Sequence, residues 1–289
     1  MNKLINTIFN NLLGFTVIRD RKANLISIGF IRETKFNFIR AMKYLALIFT
    51  ISVFSTLQIK AEQFKALVFA DAHDTWHYTN VPVVRESFES LAEKHSFDLT
   101  FVDTDKQFSQ QTFANFDVIV FISANPCELN EKKRKEFEAY IHNGGAIVGV
   151  HSSSATKHEP NRWLWWEDVV GRVFLEHPVK QTGVISVVEH DFPACYHLPD
   201  KWLWTDEWYE FETPFPDSLN VVLTVDEKTY KPSKKHAMGN YHPIAWYHEF
   251  EGARIFYTAL GHITESYRDA DFLQHIYGAM VWATKKNES

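Results

Sequence analysis

The chain has 289 residues, with 30 Lys and Arg against 36 Asp and Glu, a net charge of −6. That balance argues against nucleic acid or an anionic membrane surface as partner. Its two cysteines, Cys127 and Cys195, define no disulfide framework and no metal-ligand spacing, although export would permit a bridge between them.

Charge is distributed unevenly. Residues 1–61 carry nine Lys and Arg against two Asp and Glu, and the remaining 228 residues carry a net −13. From Met42 the chain reads Met-Lys-Tyr, and the fourteen residues Tyr44 to Leu57 are uncharged. Gln-Ile-Lys-Ala61-Glu62 follows. A basic start, an apolar run shorter than the roughly 20 residues of a spanning helix, and a small residue at Ala61 predict a signal peptide over 42–61. An uncleaved anchor is the alternative. Residues 1–41 are then an upstream extension, with Met42 the expected start. The expected location is periplasmic or extracellular, with no stable membrane span once the signal is cleaved, and 62–289 is one large domain.

Within that domain, Phe64–Ala70 is an apolar run ending in the polar loop Asp71-Ala72-His73-Asp74. Val81–His95 places Val84, Phe88, Leu91 and Ala92 at helical spacing, with Pro82 in the first turn. Phe97–Asp103 and Phe116–Ser123 read as strands, and Asn130 caps a helix that ends at Gly144. Ala146–Val150 is a short buried strand running into His151-Ser152-Ser153-Ser154. This alternation predicts an α/β fold with a doubly wound, mainly parallel sheet, flavodoxin-like in outline. Ligands of such sheets bind beyond the carboxyl ends of the strands, where His151 stands. No glycine-rich phosphate loop is present, so no nucleotide is implied.

The second half is aromatic; all nine tryptophans lie after residue 61. Arg162–Gly171 reads as a short helix, and His177-Pro178 as an extended or turn dipeptide. Lys201–Phe211 sets Asp206 and Glu207 among three tryptophans, where burial would raise a carboxyl pKa and suit acid/base work. Tyr241–His262 reads as a hairpin turning at Glu251-Gly252. Its second strand ends at Gly261-His262, with Glu265 three residues on and able to orient the ring. A helix over Asp271–Thr284 closes the chain.

The blocks Gly144–Ser152, Phe174–Pro178, Asp206–Tyr209, Met238–Glu249 and Tyr257–Tyr267, with Trp76-His77, resemble the trehalose-utilisation, ThuA-like family over about Lys65 to Lys285. The resemblance implies a class I glutamine-amidotransferase-like three-layer sandwich. Amidotransferases of that fold keep a Cys at the strand-to-helix elbow and a His-x-Glu pair beside it. Here the elbow position holds His151, and His262 and Glu265 stand where the pair would be, so thiol chemistry is disfavoured. Ser152 lacks the GxSxG elbow of a serine nucleophile.

The implied activity is on a small carbohydrate, an oxidised (3-keto) disaccharide or glycoside, by His-assisted acid/base chemistry. The alternative is a non-catalytic carbohydrate-binding protein using the same cleft. Candidate catalytic residues are His151, His262, Glu265, Asp206 and Glu207. Candidate substrate-binding residues are His77, Ser152, Trp208, Tyr209, His242 and Trp246. Because imidazole suits Zn²⁺ and similar ions, His77, His151, His242 and His262 are also candidates for a divalent-metal site, without support from any local motif.

Overall fold

Strands Val118–Ile122 and Ala146–Val150 have every residue buried, so both faces of the sheet are covered at these positions. The computed structural model describes residues 15–19, 26–30, 63–74, 76–157 and 159–284. The expected signal segment 42–61 lies outside them. The chain divides into two compact units, 1–60 and 61–289. In the first, Phe15–Arg19 and Ile26–Phe30 pair antiparallel.

The second unit is built on strands β1 (Lys65–Ala70), β2 (Asp98–Val102), β3 (Val118–Ile122), β4 (Ala146–Val150), β5 (Phe174–Glu176), β6 (Gln181–Val187), β7 (Lys201–Asp206), β8 (Glu210–Phe211), β9 (Asn220–Asp226), β10 (Pro243–Phe250) and β11 (Ala253–Thr258). Its helices are α1 (Val81–His95), α2 (Asp105–Ser109), α3 (Glu131–His142), α4 (Leu164–Val170) and α5 (Ala270–Thr284). Nine strands form one sheet in the order β2-β1-β3-β4-β11-β10-β9-β6-β7. The first five of that order are parallel, as the sequence predicts. The other four continue as an antiparallel extension; the Glu251-Gly252 turn signals its first pairing, β10 with β11, and no local pattern announces the rest. β5 and β8 make a separate small pair.

Local chemistry accounts for the boundaries. Helix α1 begins with Pro82 in its first turn and stops at Ser96 in the left-handed conformation. The Asn130 side chain accepts from the Lys133 amide and caps α3. The core is a stack of rings: Phe69 on Phe108 at 4.8 Å, Phe121 on Trp166 at 4.8 Å, and Phe137 among them. Cys127 and Cys195 are buried free thiols, with no bridge between them. Burial pushes both up to about 12, which leaves them unreactive. No helix among the described residues is long and apolar enough to cross a membrane.

Candidate functional site

Strand order 2-1-3-4 puts a topological switch between β1 and β3, and the loops after β1, β3, β4 and β11 meet above it. A cavity of about 700 Å³ opens there. His77 reaches it from the turn after β1 and His262 from the loop after β11, and His151 lies fully buried beside them at the end of β4. His77 to His151 is 4.9 Å between ring centroids, and His262 lies 5.3 Å from each.

The His151 and His77 rings are each held by a neighbour. His151 has a left-handed backbone, φ +53°, a conformation that costs a non-glycine residue about 1–2 kcal/mol. It turns the chain abruptly into the 3-10 turn His151–Ser154, and Tyr257 Oη donates to its carbonyl at 2.8 Å. The ring then donates from Nδ1 to the Ala259 carbonyl at 2.8 Å, leaving Nε2 2.9 Å from Tyr209 Oη. His77 donates from Nδ1 to the Asp74 carboxylate. Ahead of His262, Gly261 at φ +111° leaves no room for a Cβ, which would stand 2.9 Å from Tyr267 Oη.

The carboxylate among the rings is Glu207. Its Oε2 lies 3.2 Å from His262 Nδ1, 3.4 Å from His177 Nε2 and 3.6 Å from His151 Nε2. Burial would raise Glu207, but the contact with His151 and the nearby His262 and His177 rings hold it below its ordinary value. Burial pushes His151 down to about 4; burial, with His151 alongside, does the same to His262. Both rings are therefore neutral at neutral pH, with a lone pair available.

Asp206 is fully buried beneath this group. It accepts from the amides of Gly261 at 2.9 Å, His262 at 3.2 Å and Glu207 at 2.9 Å, and from Trp204 Nε1 at 3.0 Å. Burial raises its pKa against those hydrogen bonds. It ties the loop together by these bonds and is not among the residues that line the cavity.

The remaining expectations divide. His77, Ser152 and Tyr209 line the cavity with Glu207 and His262. Glu265 does not orient His262: the chain turns through Thr264–Arg268, which buries Ser266 and Tyr267 and leaves Glu265 exposed. Glu207 stands in its place. His242 is buried away from the other rings, donating from Nε2 to the Tyr209 carbonyl at 2.8 Å, with Nδ1 2.9 Å from Glu227 Oε1 and Tyr230 Oη. It drops out of the candidate metal set and supports Tyr209 from behind. Trp208 packs so closely on Gly183 that a Cβ there would meet its ring at 2.9 Å. Trp246 is core, bonded from Nε1 to the Val170 carbonyl at 2.9 Å. Neither indole reaches the cavity.

Three residues of the site stand outside the candidate site residues read from the sequence. Asp74 lies in the noted polar loop, yet nothing local says it pairs with His77. His177 precedes a proline, which signals only backbone shape. Trp76 is 80% exposed and lines the mouth of the cavity; its isolation from any apolar pattern was the available signal. The wall also carries Asp71, Asp105, Glu128 and Glu159, and no Lys or Arg among the described residues. Asp105 is pushed up to about 6 by burial and then by Asp71 and Glu128.

The sequence profile of the ThuA family, described as trehalose utilisation, matches residues 65–283. A ThuA-like protein of Bacteroides uniformis has a similar structure, at 25% identity and TM-score 0.67, covering 79% of this chain and 94% of that one. Another, from Parabacteroides merdae, has 19% identity and TM-score 0.60 over 76% of this chain and 89% of its own; it supports the fold alone. No match was found among curated proteins.

Proposed function

We propose, since this chain belongs to the trehalose-utilisation (ThuA) family, that it is an enzyme acting on an oxidised (3-keto) disaccharide or glycoside. The observation that carries this reading is the convergence of His77, His151 and His262 around Glu207, with His77, His262 and Glu207 lining a cavity on the carboxyl rim. A ring carbonyl makes the neighbouring C–H acidic. His262, the most open of the three imidazoles, takes that proton while the electron pair moves onto the carbonyl oxygen. Glu207, 3.2 Å from the ring, stabilises the imidazolium that forms. Returning the proton elsewhere, or expelling the glycosidic oxygen, completes isomerisation or elimination.

The wall supports an uncharged substrate. Carboxylates without a single Lys or Arg among the described lining residues would repel a sugar phosphate or uronate. Trp76, open to solvent at the mouth, offers a flat apolar face to a pyranose. That feature also favours a second reading, a carbohydrate-binding protein that performs no chemistry.

Turnover of a keto-glycoside panel separates the two. His262→Ala should lower turnover about 10²–10⁴-fold, the usual weight of a general acid/base, with little change in Tm. Trp76→Ala should raise KM roughly 3–10-fold at constant kcat, as expected for one aromatic contact. If His262→Ala and His151→Gln melt normally and match the wild-type rate on every compound, the two histidines are scaffold and the binding reading takes over. We also infer export through the Met42–Ala61 segment, for which N-terminal sequencing of secreted or periplasmic material should begin near Glu62.

A further inference from the structure

We propose that His77, His151, Glu207 and His262 bind one first-row divalent transition-metal ion, with Zn²⁺ as the representative. The proposal shares its residues with the sugar reading but does not need it.

One donor atom from each of the four lies within 4.8 Å of the others. Bonds of about 2.0–2.1 Å to a common ion would require the set to contract by roughly an ångström. Two of the imidazoles are already prepared in the way metal-binding histidines are. His77 commits its Nδ1–H to the Asp74 carboxylate and His151 commits its Nδ1–H to the Ala259 carbonyl. Both therefore present Nε2 with its lone pair, in a fixed tautomer and ring orientation. A carboxylate behind one ligand and a backbone carbonyl behind the other are the two commonest outer supports for such rings.

The third imidazole supplies an independent observation. His262 Nδ1 is buried and makes no hydrogen bond, although Glu207 Oε2 is only 3.2 Å away, because the alignment is poor. A buried ring nitrogen without a partner is costly, and an ion between it and Glu207 would satisfy both. Three imidazoles and one carboxylate form a donor set suited to Zn²⁺, Fe²⁺, Co²⁺ or Ni²⁺, whereas Mg²⁺ and Ca²⁺ require mostly oxygen. Ion binding would take the His151 lone pair that now accepts from Tyr209 Oη at 2.9 Å. It would thereby release that hydroxyl toward the cavity. The cavity side remains open for a substrate oxygen.

The test uses the untagged full chain, stripped with a chelator and titrated with Zn²⁺ by calorimetry, with Co²⁺ uptake followed through its visible d–d bands. One ion per chain is expected, with a rise in Tm and no competition from equimolar Mg²⁺. Asp74→Asn, which alters only the support of His77, should weaken Zn²⁺ about 10–100-fold. His262→Gln should abolish stoichiometric uptake. Failure of the wild-type chain to take up one Zn²⁺ or Co²⁺, or wild-type affinity in both variants, overturns the proposal. Stoichiometric uptake without turnover of any keto-glycoside upholds the metal site and removes the sugar reading. Turnover by a chain that takes up no ion does the reverse.

Discussion

β4 buries all five of its residues, whereas β7, at the far edge of the same sheet, runs exposed, buried, exposed before its end dips inward at Asp206. The first belongs to the parallel half, whose inner strands β3 and β4 are continuous apolar runs covered on both faces. The second belongs to the antiparallel extension, with one side toward water. The parallel half delivers His77, His151 and His262 to one rim, because its strands all end there. The extension delivers Glu207 and Tyr209, and Asp206 beneath them. The site is assembled across two kinds of sheet: imidazoles come from one and the carboxylate and phenol from the other.

The largest expected effect tests whether the extension contributes chemistry or only shape. Glu207→Gln keeps the side-chain volume and removes the charge. It should reduce turnover by about 10²–10⁴-fold with Tm nearly unchanged. A wild-type rate would assign the chemistry to the parallel half alone.

The next effect reads the seam between the halves. His275 on α5 is fully buried, donates from Nδ1 to the Ala194 carbonyl in the loop joining β6 to β7, and packs on Phe256 of β11. Burial, with His197 also near, pushes its pKa down to about 4 from an ordinary 6.5. The unfolded chain therefore binds a proton that the folded chain refuses between these values. Its contribution is complete above about pH 6.5 and falls as pH drops toward 4, by about 1.4 kcal/mol per pH unit. Denaturant titrations of His275→Gln across that window should show a shallower loss than wild type. Parallel profiles would mean that the ring titrates normally in the fold.

A smaller effect comes from the same seam. Gly278 on α5 faces Pro193, whose carbonyl oxygen would stand 2.2 Å from an added Cβ, with Ala194 Cα at 2.7 Å. Alanine at a helix interior ordinarily stabilises by about 1 kcal/mol over glycine. Here the backbone in the way should reverse the sign, and Gly278→Ala should cost about 1–3 kcal/mol, read as a lower urea midpoint at constant m. The smallest effect is the most diagnostic of position. Glu265→Ala should change stability by less than about 0.5 kcal/mol and leave turnover intact; a large loss would restore it to the site.

These outcomes also mark where sequence reasoning succeeds. Continuous apolar runs place β1, β3 and β4. The Pro82 and Asn130 signals place the starts of α1 and α3, and Glu251-Gly252 places the hairpin, since each rests on contacts within a few residues. His151 and His262 follow from strand ends, whereas His77 comes only with the family resemblance. The partner of His262 does not: Glu265 is three residues away and faces water, while Glu207 is brought in by an edge strand whose place in the sheet depends on long-range pairing. His242 misleads in the same way. It lies just ahead of a buried strand, yet Glu227 and Tyr230 hold it on the far side of Tyr209.

Asp206 has a consequence for how the molecule reaches its working state. One carboxylate ties the amides of Gly261 and His262 to the turn that carries Glu207. A chain caught with its parallel half formed and its edge strand unpaired therefore lacks both the carboxylate and the anchored His262 loop. Partial unfolding at the outer edge of the sheet would silence the cleft as completely as global unfolding does. In native-state hydrogen exchange, the Gly261 and His262 amides should open together with strand Lys201–Asp206, as one cooperative unit, although 55 residues of chain separate Asp206 from Gly261.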